Sequence, residues 1–301
     1  MCLKLTINPK TLDMKRTLFL LIAAAISFSA VAQDADSITF VNTKRAKLRL
    51  KNAEGYVLST YIFDSPQTIS VIKFSPDKFS LKVVQPEEVT PASEVGEENN
   101  ADFVINACYW AVTTGVPTTF VKSEGKVKSK THPAAIPRVN GLMLMHNNGI
   151  EIVRSYDAPY YPGLVENCDN IIACGPILLD DGEVVDYSYI LDSEEHKLVR
   201  QHKFFLTRHP RSAIGCNAQG EIFMVVADGR FEDRAEGLSI EELTKVCRWL
   251  GMVEAMNLDG GGSSTLWCQK YGVINHPCDN RKFDNEGERS VSSCLVAKKR
   301  K

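Results

Sequence analysis

Ile222-Phe223-Met224-Val225-Val226-Ala227, running straight into Asp228-Gly229-Arg230, is the stretch from which the fold is read. Six consecutive apolar residues, three of them β-branched, describe a strand covered on both faces. A helix is expected next, over 240–250. Ser239 is its N-cap, Glu242 completes a capping box, and Leu238 and Leu243 fit a hydrophobic staple. Ile240, Leu243, Val246, Cys247 and Leu250 form one apolar stripe, and Gly251 supplies the left-handed C-terminal cap. A second buried strand, 253–258, leads into Asp259.

Strand, helix and strand predict a βαβ crossover with two parallel strands. The expected fold class is therefore α/β with α+β character: a mixed β-sheet, a central βαβ unit, flanking helices, and a site at the carboxyl edge of the parallel strands. Asp228 and Asp259 each stand at such an end. Alternation along the strand sends Asn257 and Asp259 to one face.

After Asp259 the chain reads Gly260-Gly261-Gly262-Ser263-Ser264-Thr265. Glycine admits a ligand close to the main chain, and successive N–H groups in such a turn can cradle an anion. A carboxylate beside an anion cradle points to a substrate that carries both a phosphate and a bond to be protonated or attacked. A serine-hydrolase elbow is excluded because the final glycine of G-x-S-x-G is missing. No Gly-Lys-Ser/Thr is present, which excludes a Walker loop.

Working outward, strands are expected at 47–50, 56–63, 68–74 and 79–84, so the region from about 45 to 85 is strand-rich. Ser93 and its successors can open a short helix, and 101–107 is a buried strand with Asn106 near its end. Further strands are expected at 141–146, 151–154, 171–173, 177–179 and 204–206.

The chain of 301 residues has 44% hydrophobic content and a formal net charge of −2. That is an ordinary globular balance, and no nucleic-acid partner is expected. At the N-terminus, Lys15-Arg16 precede an apolar run from Leu18 to Ala25, and Ala30-Val31-Ala32 follows as a cleavage signal. This is the pattern of a secretory signal peptide over 1–32, with Met14 a plausible true start. One domain over 33–301 is expected, periplasmic or secreted, without stable membrane insertion. Of nine cysteines, eight lie beyond the signal. Cys268 and Cys278 are the pair best placed for a disulfide, and the lack of any CxxC argues against structural zinc.

Several ordered motifs resemble the phosphodiester glycosidase family. They are Arg208-His209-Pro210-Arg211-Ser212-Ala213-Ile214-Gly215, Val225-Val226-Ala227-Asp228-Gly229-Arg230, Gly237-Leu238-Ser239, and Asn257 through Thr265. The likeness continues in Asn275-His276-Pro277 and Gly287-Glu288-Arg289, and extends back through Cys174-Gly175-Pro176-Ile177-Leu178-Leu179 and Val104-Ile105-Asn106-Ala107. It runs from about Gly55 to Ala297. Where members commonly have a glycine-rich Asn-Gly-Gly followed by aromatics, this chain has Asn106-Ala107-Cys108-Tyr109-Trp110, so that pocket wall differs.

The resemblance implies hydrolysis of a sugar 1-phosphodiester, with no cofactor. Asp228 and Asp259 are the candidate acid/base carboxyls. Arg211, Arg230 and Arg289 are candidates for the phosphate, since guanidinium matches phosphate geometry. Asn106, Asn257, Gly260, Gly261, Gly262, Ser263, Ser264 and Thr265 are candidate substrate contacts. Two other readings remain open: a non-catalytic carbohydrate-binding or envelope-polysaccharide processing protein, and a phosphodiesterase in which the two carboxylates hold a divalent cation.

Overall fold

The computed structural model describes residues 55–63, 66–154 and 162–301. The expected signal peptide and the strand at 47–50 lie outside them. In chain order the strands open with β1 (Tyr56–Phe63), β2 (Gln67–Phe74) and β3 (Phe79–Val84). Helix α1 (Ala92–Glu98) precedes β4 (Phe103–Asn106), β5 (Trp110–Ala111), β6 (Val116–Pro117), β7 (Val121–Ser123) and β8 (Lys126–Ser129). A 3₁₀ turn at Pro133–Arg138 leads to β9 (Gly141–His146) and β10 (Gly149–Arg154). After α2 (Pro162–Glu166) come β11 (Asn170–Cys174), β12 (Ile177–Asp180), β13 (Glu183–Val184), α3 (Ser188–Leu191) and α4 (His196–Leu206). The last third holds β14 (Arg211–Cys216), β15 (Ile222–Ala227), α5 (Ile240–Trp249), β16 (Glu254–Asn257), β17 (Leu266–Cys268), β18 (Gly272–Val273) and β19 (Cys294–Lys299).

A seven-stranded sheet runs β1-β2-β15-β14-β16-β12-β13. Two five-stranded sheets, β10-β9-β11-β7-β8 and β18-β17-β4-β19-β3, and the β5-β6 ribbon complete the fold. It is a sheet-rich α+β architecture.

The expected βαβ unit with paired parallel strands, and with it the mixed sheet, is not what forms. β14 lies between β15 and β16 and is antiparallel to both. Every strand pairing in the sheet is antiparallel. A continuous apolar run reports two covered faces but says nothing about the direction of the neighbouring strand. All six residues of β15 are indeed buried, yet its partners β2 and β14 both oppose it. Because β15 and β16 both oppose β14, their C-terminal ends leave the sheet at the same edge, and Asp228 and Asp259 follow them there.

Helix α5 begins as its residues require: the Ser239 hydroxyl accepts from the Glu242 amide, and the Glu242 carboxylate accepts from the Ser239 amide. Gly251 follows with φ +83°. The strand expected at 204–206 is instead the end of α4. Its short apolar run Phe204-Phe205-Leu206 is the last turn of a helix, a case that periodicity alone does not separate from a strand.

Tyr56, Phe74, Phe79 and Phe103 make an aromatic cluster, with ring centroids 4.8–6.0 Å apart, that joins the seven-stranded sheet to the β3/β4/β19 sheet. A second cluster packs α1 on that sheet through Val95, Val104, Trp267 and Val296. No helix among the described residues is long and apolar enough to cross a membrane.

Candidate functional site

Asp259 follows β16, and its surroundings favour a proton-carrying carboxyl. Its backbone amide donates to the Ala107 carbonyl at 2.9 Å, and its own carbonyl accepts from Asn106 Nδ2 at 2.6 Å, so the residue is fixed from both sides. Burial pushes its pKa up to about 6; hydrogen bonds from Ser263 and the Gly260 amide, with the charges of Arg138 and Arg289, only partly oppose this.

Asp228 follows β15 and is buried, 1% exposed. Its Oδ1 accepts from the His276 amide at 2.8 Å and from Asn275 Nδ2 at 3.2 Å. Its Oδ2 lies 2.7 Å from His276 Nδ1. Burial raises its pKa, against the opposing effect of His276. A carboxyl so enclosed meets its own protein on both oxygens. The partly exposed member of the pair is the His276 ring, whose side chain is 23% exposed.

The arginines divide. Arg211, 2% exposed, donates from Nε to the Leu238 carbonyl and from Nη2 to the carbonyls of Phe204 and Thr207, at 2.9, 2.7 and 3.0 Å. Its guanidinium lies 4.7 Å from the Phe204 ring centroid, and burial lowers its pKa to about 10. The expectation that it clamps phosphate is corrected: it ties β14 to the end of α4. Arg289 makes a two-pronged pair with Asp279, Nε and Nη2 each at 2.7 Å, while keeping further donors. Arg230 is exposed, adopts φ +68°, and lays its guanidinium over Gly261. Beside Gly262, Arg289 and Asp279 fill the space a Cβ would take.

The glycine loop is less open than its sequence suggests. The Gly260 amide donates to Asp259 Oδ1 and the Gly261 amide to the Pro210 carbonyl, so neither is free to cradle an anion. Among the hydroxyls, Ser263 bonds Asp259 and accepts from Trp110 Nε1. Ser264 and Thr265 are buried, at 1% and 0% exposure, and so are not substrate contacts. Asn106 and Asn257, both 0% exposed, are braces rather than sugar ligands. Asn106 Oδ1 accepts from the Ser212 hydroxyl and the Thr265 amide. Asn257 Nδ2 lies within 2.9 Å of Tyr109 Oη and the Gly175 carbonyl. Asn257 is the last residue of β16 and its side chain enters the protein's interior, while Asp259 lies beyond the strand.

Two residues were not singled out as substrate-facing from the sequence. Arg138 ends the 3₁₀ turn and lies against the rings of Tyr109 and Phe204, 4.7 and 5.1 Å from their centroids. Its charge acts on Asp259, and its buried Nε has no hydrogen-bond partner. Nothing around Pro133–Arg138 signals a site in the sequence. His276 had a signal, its place in Asn275-His276-Pro277, but its pairing with Asp228 spans 48 positions.

Among the described residues no group of three or more His, Cys, Asp or Glu side chains is arranged to hold a metal. All eight described cysteines are free, so the expected Cys268–Cys278 disulfide is not formed; Cys278 Sγ instead lies 3.5 Å from Arg230 Nη1.

Comparison with known proteins gives a consistent result. The family model described as phosphodiester glycosidase matches residues 99–298. A curated relative, mouse N-acetylglucosamine-1-phosphodiester alpha-N-acetylglucosaminidase, is 40% identical over 64 residues, 21% of this chain and 12% of that protein's length. Among solved structures, the auto-inhibited catalytic domain of the zebrafish enzyme of the same name superposes with a TM-score of 0.64 at 16% identity, covering 86% of this chain and 88% of that one. A hypothetical protein from Synechocystis also gives 0.64, at 15% identity, covering 82% of this chain and 62% of its own. At these identities the structures share the fold.

Proposed function

The chain belongs to the phosphodiester glycosidase family, and from that premise we propose that it hydrolyses the glycosidic bond of a sugar 1-phosphodiester. The observation that carries this reading is Asp259: a carboxyl raised to about 6 by burial, with the charges of Arg138 and Arg289 acting on it. A group titrating near the working pH can hold a proton and release it to a leaving oxygen. Here that oxygen belongs to the phosphate. Arg138, Arg230 and Arg289 bind the phosphate as the bond to the sugar breaks, and the products are free sugar and a phosphate monoester. An N-acetylglucosamine-1-phosphodiester is the substrate class suggested by the names of the mouse and zebrafish relatives.

The N-terminal charge, apolar run and A-x-A signal support a reading of export to the periplasm or outside the cell, with residues 33–301 as one catalytic domain. N-terminal sequencing of the mature protein checks this; a chain that retains Lys15-Arg16 would refute it.

The test of function is a product-resolved assay on N-acetylglucosamine-1-phosphodiesters. Free N-acetylglucosamine is expected, with at least a hundredfold loss in Asp259→Asn, the scale on which positioned proton transfer contributes. Release of sugar 1-phosphate, which means cleavage on the other side of phosphorus, overturns the reading.

A further inference from the structure

The sequence offers two carboxylates at one sheet edge, and the structure seals one of them. Asp228 spends Oδ1 on the His276 amide and Asn275 Nδ2, and Oδ2 on His276 Nδ1. With Asp228 ionised, Oδ2 can only accept, so Nδ1 carries the hydrogen toward it and Nε2 is the ring's acceptor.

The ring is held in place. It stacks on Phe283 with centroids 3.8 Å apart and planes 11° from parallel. Phe283 is in turn backed by Phe231, and Arg234 lies over it at 5.3 Å. The other charged group acting near the ring is Asp284. The segment bearing His276 runs along the glycine loop: Asn275 Nδ2 donates to the Ser264 carbonyl, Cys278 meets Arg230, and Asp279 with Arg289 closes over Gly262. His276 therefore lies on the segment whose Cys278 and Asp279 contact Arg230 and Arg289 beside the glycine loop that follows Asp259.

We infer that His276 is a catalytic residue: its Nε2 takes the proton of the attacking water, and Asp228 is the positioning residue that fixes its tautomer and angle. The inference rests on the glycosidase reading. The water oxygen bonds to the sugar C1 as the C1–O bond breaks. The electron pair leaves on the phosphate oxygen, which receives the Asp259 proton, while the water's proton passes to His276 Nε2. Solvent then returns a proton from the imidazolium to Asp259, and the balance closes.

The test is His276→Asn, whose Nδ2 can keep a donor toward Asp228 while removing Nε2. It is run with Asp228→Asn and the double variant on an N-acetylglucosamine-1-phosphodiester in ¹⁸O-water. Wild type should place the label in the sugar. His276→Asn should lower kcat at least a hundredfold with KM within about threefold, and lose the acid limb of the pH profile. The double variant should be no slower than His276→Asn alone, because Asp228 acts through the ring. Should His276→Asn fold poorly, His276→Ala assayed with added imidazole supplies the same reading, and rescue of kcat is expected. Label in the sugar with kcat unchanged in His276→Asn, or no rescue in a folded His276→Ala, overturns the inference and leaves the function standing. Label in the phosphate overturns both.

Discussion

At the scale of one side chain, the burial of Asp259 couples stability to pH. Its folded pKa of about 6 lies above the unfolded 3.8, so the folded state holds this proton more tightly than the unfolded chain does. Its effect is absent below about pH 4, where both states are protonated, and destabilisation grows as pH rises through about 6. Asp259→Asn should therefore be more stable than wild type at pH 8, by on the order of 1 kcal/mol after allowance for partial exposure, with the difference gone near pH 4. Thermal melts at the two values check the sign. Arg211 and Arg138 make the opposite pair. Removing Arg211 strands three backbone carbonyls, and Arg211→Ala should cost about 3 kcal/mol of stability and affect charged and neutral substrates alike. Arg138→Ala should keep its melting temperature to within a few degrees and weaken phosphodiester substrates at least tenfold relative to neutral glycosides, as loss of a charge-assisted contact implies. A ratio of one would remove Arg138 from the phosphate site.

At the scale of elements, α5 and the glycine loop separate stability from activity. The capping box satisfies amides at the start of α5 and touches none of the candidate site residues. Ser239→Ala should lower stability by about 1 kcal/mol with kcat unchanged, measured by denaturant melts beside the product assay. Gly262 works the other way. Its backbone needs no special conformation, but an added Cβ would press on Asp279 and Arg289, whose side-chain ends can move. Gly262→Ala should hold its melting temperature and raise KM for phosphodiesters several-fold, as Arg289 is displaced. An unchanged KM would argue that Arg289 serves only its pair with Asp279.

At the scale of the whole molecule, the described residues are held by packing between sheets, not by cross-links. All eight cysteines in the described region are free, and seven of them are buried. Millimolar reductant should therefore leave the melting temperature unchanged to within about a degree. A fall of several degrees on reduction would mean that a disulfide forms in solution. The described residues fall in one compact unit, Thr43–Lys301, so one cooperative transition is expected for them.

The sequence by itself determined what is local. β1, β3 and β9 lie at the positions expected from their β-type runs and turn residues, and α5 carries its cap at Ser239. Asp228 and Asp259 were legible because each closes an apolar strand, and that signal needs no neighbour. Only the tertiary structure decided which strands touch. A run such as 222–227 encodes burial on two faces, not the direction of its partners, so the insertion of β14 between β15 and β16 left no mark in either strand. The same limit governed the site. Whether a guanidinium is spent on three carbonyls or keeps a donor without a partner depends on residues from elsewhere in the fold, as Arg211 and Arg138 show. Whether a carboxyl is open or turned to a histidine depends on a segment 48 residues away, which is why Asp228 read as one of two acid/base carboxyls and is enclosed against His276.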